Sequence, residues 1–275
     1  MDEQVLQERV SRYHYYHVIQ LTESIGTPGW TEPGVLRLQE TALKALRTMD
    51  LNGKRVLDIG CRDGLFSFEA EKLGASEIIG IDNDLSRGAT EVLIPFFKSR
   101  VRMQELNLYD LTPETFGLFD VVLCAGVLYH LRFPFWGLKL IHDVLKPGGY
   151  VLLETAVFVD ENDYAMLFCP TGKDSPYEPT SCTFFNIRGL SDTLGSLGFT
   201  VRDVSYCLNE QRERKGRWHT LKRRVRGLLD LKRRIVLDRA TVICQTPTGD
   251  ADPSSKVNNY WHGIHRTHSN AEYCW

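Results

Sequence analysis

Apolar positions along the chain recur in two periods, and the switches between those periods outline the fold. Val35, Leu38, Ala42, Ala45, Leu46 and Met49 fall at helical spacing and predict a helix ahead of the first strand. The bulky run Arg55, Val56, Leu57 and Ile59 then suits a buried parallel strand, and Phe66 to Leu73 before Gly74 suits a short helix with a glycine stop. The alternation continues with a strand over Glu77 to Asp82, a helix-like stretch to about Lys98 and a strand around Val101 to Leu106. Another strand covers Phe119 to Cys124, and an amphipathic segment (Leu138, Ile141, Val144, Leu145) is closed by Lys146-Pro-Gly-Gly149 ahead of a strand from Tyr150 to Ala156. Strands alternating with helices across short turns imply a parallel sheet covered on both faces. Ile187, Leu190, Leu194 and Leu197 before Gly198 mark one more helix, and two strands remain, Thr200 to Cys207 and Ile235 to Gln245. With no second crossover helix required between them, they read as an antiparallel closing pair. The expected architecture is α/β: a doubly wound, seven-stranded mixed sheet with its last strand antiparallel.

Composition narrows the class without naming a ligand. The chain has 275 residues, 43% of them hydrophobic, enough for one large core. Lys+Arg 33 against Asp+Glu 35 gives a net charge of -2, so the molecule as a whole is no polyanion binder. No apolar run approaches the ~20 residues of a membrane span. The start, MDEQVLQERV, lacks the features of a signal peptide, and the cysteines (Cys 7) show no metal-type pairing, so a reducing, cytoplasmic setting is expected. The division expected is an extension and helix over 1–50, a Rossmann-like domain over 51–245 and a tail over 246–275.

Chemistry concentrates in the loop of Val56-Leu-Asp-Ile-Gly-Cys-Arg-Asp-Gly-Leu-Phe66, between the first strand and its helix. Glycines there let backbone approach a ligand, and a helix N-terminus offers free N–H groups. The loop lacks the lysine and hydroxyl of a nucleotide-triphosphate loop. It also carries Arg62 where a dinucleotide fingerprint needs its middle glycine, while Asp58 and Asp63 would repel a pyrophosphate. S-adenosylmethionine fits better, with an ammonium, a sulfonium and a ribose that wants an acid. Asp82, ending the second strand, supplies that acid, and Asp110 is placed to meet the adenine amino group. The cofactor contacts expected on this reading are Asp58, Gly60, Cys61, Gly64, Asp82, Asn83, Asp110, Leu111, Ala125 and Tyr129.

From Arg55 to Thr155 the chain resembles class I S-adenosylmethionine-dependent methyltransferases. More narrowly, Gly126-Val-Leu-Tyr-His130 and Leu145-Lys-Pro-Gly-Gly-Tyr-Val-Leu-Leu-Glu-Thr155 resemble the bacterial tRNA wobble-uridine carboxymethyltransferases, which use carboxy-S-adenosylmethionine, and their relatives of unassigned substrate. The resemblance implies that Tyr129 and Arg239 touch the donor's extra carboxylate. That family's essential lysine, in an Arg-Lys-Gly-Pro type stretch before the glycine loop, has no counterpart, since the first lysine here is Lys44. His17 to Trp30 is instead similar to relatives with other acceptors. Ordinary S-adenosylmethionine is therefore the expected donor.

Methyl transfer needs an aligned acceptor and the exclusion of water, with a base only where a hydroxyl or amine must lose a proton. Tyr129 and His130, after the fourth strand, are the catalytic candidates, and His130 is the expected base because its reference pKa lies near neutrality. Residues 157–186, rich in aromatics and turn formers, read as a lid over the acceptor. The run Arg212 to Arg234 reads as a basic amphipathic helix (208–234) whose Arg223 and Arg224, with Arg239, would gather an anionic acceptor or rest on an anionic membrane. His262, His265 and His268 in the tail do not have the spacing of a zinc motif, and no metal is expected. The acceptor expected is a small polar or anionic molecule, such as a saccharide or other metabolite. A tRNA-modifying enzyme and a noncatalytic binding protein on the same scaffold are the alternatives.

Overall fold

The computed structural model describes residues 2–159, 164–207 and 236–249. Five strands, β1 (Arg55–Ile59), β2 (Glu77–Asp82), β3 (Arg102–Glu105), β4 (Phe119–Ala125) and β5 (Leu145–Phe158), lie parallel in the order β3-β2-β1-β4-β5. Two short strands, β6 (Leu167–Phe168) and β7 (Phe184–Phe185), join β5 through the Val157–Phe185 pair. The last two are β8 (Thr200–Tyr206) and β9 (Leu237–Gln245). β9 slots between β5 and β8, antiparallel to both, so the last strand is antiparallel as the sequence predicts, and among the described residues the sheet has nine strands once the two short ones are counted.

Alternation along the buried strands divides their side chains between two layers. Val56, Ile78, Val121, Leu123, Leu152 and Ile243 face one layer, with α2 (Pro33–Arg47) and α3 (Leu65–Lys72). Leu57, Ile79, Ile81, Val122, Leu153 and Val242 face the other, which includes Leu138 and Leu190. Those two lie on the helices Pro134–Asp143 and Ile187–Ser196. α2 begins on Pro33, whose fixed φ suits a first helical position. The N-terminal helix α1 (Glu3–Ser11) is capped by Asp2, and its Leu6 and Val10, with Tyr15, Ile19 and Ile25, belong to the first layer. The N-terminal segment is thus packed into the core.

Three boundaries differ from the sequence reading. Leu145 opens β5 rather than closing the preceding helix, which ends at Asp143, because Pro147-Gly148-Gly149 forms an irregularity inside the strand where the register skips from Phe119–Leu145 to Val121–Tyr150. β5 also runs on through Phe158, and the connection expected over 157–186 contributes β6 and β7. The basic helix with Arg223 and Arg224, and the histidines of the tail, lie outside the described residues. Among the described residues no helix is long and apolar enough to cross a membrane.

Candidate active site

The strand order reverses between β1 and β4, and the carboxyl ends of the parallel strands open a crevice there. On its β1–β3 side the backbone makes the site. Gly60, Arg62 and Gly64 take φ of 74°, 44° and 85°, a coil that the two glycines permit. A Cβ at Gly60 would lie 2.3 Å from Val127 Cγ2. The glycine amides are spent inside the turn: Gly60 and Cys61 N–H donate to the Ile81 carbonyl at 2.8 and 3.1 Å, and Gly64 N–H to the Cys61 carbonyl at 2.7 Å. Asp82 Oδ2 accepts from Arg62 N–H at 2.9 Å and Oδ1 from Asp84 N–H at 2.8 Å. The loop therefore orients the acid at the end of β2, while the Arg62 guanidinium is paired with Asp84. Burial pushes the Asp82 carboxyl above its ordinary range, against the pull of those two N–H groups.

The residues expected at the cofactor differ in their surroundings. Asp58 is buried in β1, accepts from Ser67 Oγ at 2.6 Å, and is pushed by burial up to about 7, a post beneath the loop. Cys61 is buried, its Sγ lying 2.8 Å from where a Cβ on Gly80 would be, and packs against β2. Leu111 is wholly buried in the second core layer. Asn83 and Asp110 are exposed beyond the ends of β2 and β3, and Ala125 closes β4. Asp63 has turned away: its Oδ2 accepts from Tyr16 and His17 N–H at 2.5 and 2.8 Å, tying the N-terminal segment to the loop. Burial would raise the Asp63 carboxyl, but the bonds from His17 outweigh it and hold it below the usual range. Tyr13, Tyr16, Trp30 and Arg62 line a cleft of about 490 Å³ beside this junction.

The β4–β5–β9 side is built from side chains. Arg239, opposite Ala156 across the β5–β9 pair, donates through Nε and Nη2 to Glu154 Oε1 and Oε2 at 2.7 and 2.6 Å, both residues being under a tenth exposed. Its guanidinium carbon sits 4.5 Å from the centre of the Tyr129 ring, and Nη1 donates to Tyr177 Oη at 3.1 Å. The turn Leu128–His130 carries both Tyr129, whose hydroxyl burial pushes upward, and His130. His130 Nε2 lies 3.3 Å from Glu178 Oε1. Burial, helped by the Arg239 charge, holds the imidazole below its ordinary range despite Glu178 and the Thr180 carbonyl.

The structure thus brings Tyr129, His130 and Arg239 together and adds Glu154, Tyr177 and Glu178. Glu154 could have been found: a lone charge in Val151-Leu-Leu-Glu-Thr-Ala156 must have a partner. Tyr177, Glu178 and the Tyr16–His17 tie to Asp63 lie in irregular segments, where no periodicity flags them.

The chain is similar to known proteins in sequence and in fold. The methyltransferase-domain family matches residues 36–204. A tRNA U34 carboxymethyltransferase of Campylobacter hominis is 40% identical over 121 residues, 44% of this chain and 42% of that protein. Its counterpart in Helicobacter acinonychis is 34% identical over 123 residues, 44% and 46% of the two chains. The chain therefore spans less than half the length of the curated relatives it matches. Among solved structures, the N-terminal domain of EvdMO1 in the presence of SAH and D-fucose superposes with a TM-score of 0.61 at 16% identity, covering 90% of this chain and 97% of that one. The [4+2]-cyclase SpnF superposes at 0.54 and 18%, covering 90% and 93%. At such identities the two structures establish the fold alone. With the domain model matching residues 36–204, most of its length, the chain belongs to the methyltransferase-domain family.

Proposed function

We propose that this protein transfers a methyl group from S-adenosylmethionine to a small polar acceptor seated between the ends of β4, β5 and β9. The residues suit the donor: a carboxylate at the end of β2, held by two main-chain N–H groups, keeps lone pairs for two ribose hydroxyls. When bound, S-adenosylmethionine supplies a methyl carbon already activated by a sulfonium. The chain's part is then to orient the acceptor, exclude water and take up a proton. His130, whose imidazole burial holds below its ordinary range, is the base on this reading. Residues 164–186 are the cover.

The observation that carries the choice of donor is the Arg239–Glu154 pair. A buried arginine already neutralised by a bidentate carboxylate has little net charge left for a second carboxylate on the donor. The contrary reading, carboxymethyl transfer to tRNA, is favoured by the names of the curated relatives. That a [4+2]-cyclase shares the fold keeps a role without methyl transfer in play as well. Calorimetric titration with S-adenosylmethionine, S-adenosylhomocysteine and the carboxylated donor, followed by label transfer to hydroxyl-bearing metabolites and to tRNA, separates the three. Labelled tRNA, or a hundredfold preference for the carboxylated donor, would replace the proposal. Failure of every donor to bind would leave a scaffold.

A further inference from the structure

We propose that Glu178 is the positioning residue for a His130 base and that the acceptor atom is the oxygen of a neutral hydroxyl. This rests on the methyl-transfer reading above and specifies its acceptor.

The segment ahead of β7 is fastened to the turn after β4. Cys182 and Thr183 N–H both donate to the Tyr129 carbonyl, at 3.0 and 3.1 Å, and Thr183 Oγ1 donates to the Leu131 carbonyl at 2.7 Å. Cys182 Sγ lies 3.4 Å from the His130 carbonyl. These bonds bracket Tyr129-His130 and present the preceding residues to it. Glu178 is shaped locally, since Ser181 returns to it twice, N–H to carbonyl at 2.9 Å and Oγ to Oε1 at 3.1 Å. Oε1 thus sits 3.3 Å from His130 Nε2, while the Tyr129 ring backs the imidazole at 4.2 Å between centroids. Tyr177, one residue earlier, meets Arg239. Two consecutive residues of one segment therefore engage the base and the buried cation.

Charge narrows the acceptor class. Glu154 cancels Arg239, and Glu178 leaves this group of side chains net negative, which repels an anionic acceptor and tolerates a neutral one. The proton moves as follows: the acceptor O–H bond breaks as an N–H bond forms on the imidazole, and the oxygen's freed electron pair becomes its bond to the transferred methyl carbon. The imidazolium that remains is steadied by Glu178. Among the described residues, the groups facing His130 are Glu178 and the Thr180 carbonyl from the covering segment, Cys182 beside its main chain, Tyr129 from its own turn and Arg239 from β9.

The test is an NMR titration of the full chain labelled on histidine, with S-adenosylhomocysteine added and the His130 signal assigned by its loss in His130→Asn. In Glu178→Gln the His130 pKa should fall by about half a unit or more, since an opposite charge within ~4–6 Å favours the charged form. Should that variant not fold, Glu178→Asp carries the test with a smaller fall. An unmoved His130 pKa in a folded variant overturns the dyad while leaving methyl transfer intact, because this readout needs no acceptor. Once acceptors are screened, a hydroxyl substrate should show a roughly tenfold lower kcat in Glu178→Gln, with KM unchanged and the acid limb displaced, within the range of general base catalysis. Transfer to amines or carboxylates alone, or no binding of S-adenosylhomocysteine, overturns the hydroxyl assignment.

Discussion

The two halves of the crevice are made differently. On the β1–β3 side, Gly60, Gly64 and Asp82 are set by main-chain bonds: an acid is held by two N–H groups, and a turn is closed on the Ile81 carbonyl. On the β4–β5–β9 side, Arg239, Glu154, Tyr129, Tyr177 and His130 hold one another, side chain to side chain, across four separate stretches of chain. A backbone-made half can lose a side chain and keep its shape, whereas a half made of mutually paired buried charges cannot lose one member without stranding another. Changes on the first side should cost binding, and changes on the second should cost the fold.

The largest effect that could break this contrast is at Glu154. Glu154→Ala strands the Arg239 charge in the core and should cost about 3–5 kcal/mol of stability, read from urea midpoints. A variant as stable as the parent would mean that the pair is not buried as a unit. Asp82→Ala is the counterpart: the domain should melt nearly as before, while calorimetry shows S-adenosylmethionine binding weakened by about 1.5–3 kcal/mol. Loss of stability with binding intact would invert the contrast.

Asp58 sharpens it, as a residue under the backbone-made half whose effect falls on the fold. Folded, burial keeps it protonated to about pH 7, whereas unfolded it ionises near pH ~4. The native state holds the extra proton in between, so the stability due to this group is complete below the lower value and lost as pH rises through the upper one. Asp58→Asn keeps the acceptor for Ser67 and should remove that fall, of about 1.4 kcal/mol per pH unit across the window. Parallel pH curves for parent and variant would place the proton elsewhere. The smallest effect concerns the donor. With Arg239 already neutralised, carboxy-S-adenosylmethionine and S-adenosylmethionine should compete within about tenfold, or about 1.4 kcal/mol. Glu154→Gln should tilt the competition toward the carboxylated donor.

Legibility followed the same division. The ends of β2 and the span of β1 were readable to the residue because a buried parallel strand is a continuous apolar run ended by a polar residue, and Gly60 and Gly64 announce a turn that few other residues can make. The boundary before β5 was misread because Lys146-Pro-Gly-Gly149 looks like a turn, yet neighbouring strands absorb it as a bulge. The position of Cys61 and Leu111 at the sheet edge was visible in the sequence, whereas the burial of their side chains was not.

The sequence by itself determined that the sheet's first five strands run parallel, the loop that carries the crevice and the acid at the end of β2, since each follows from local periodicity and turn chemistry. Only the tertiary structure decided that β9 enters between β5 and β8, that Asp63 binds the N-terminal segment, and that Arg239 spends its charge on Glu154 while His130 meets Glu178. Pairing among distant side chains depends on which strands become neighbours and on the large desolvation cost of leaving any buried charge alone, and neither is written within a window of adjacent residues.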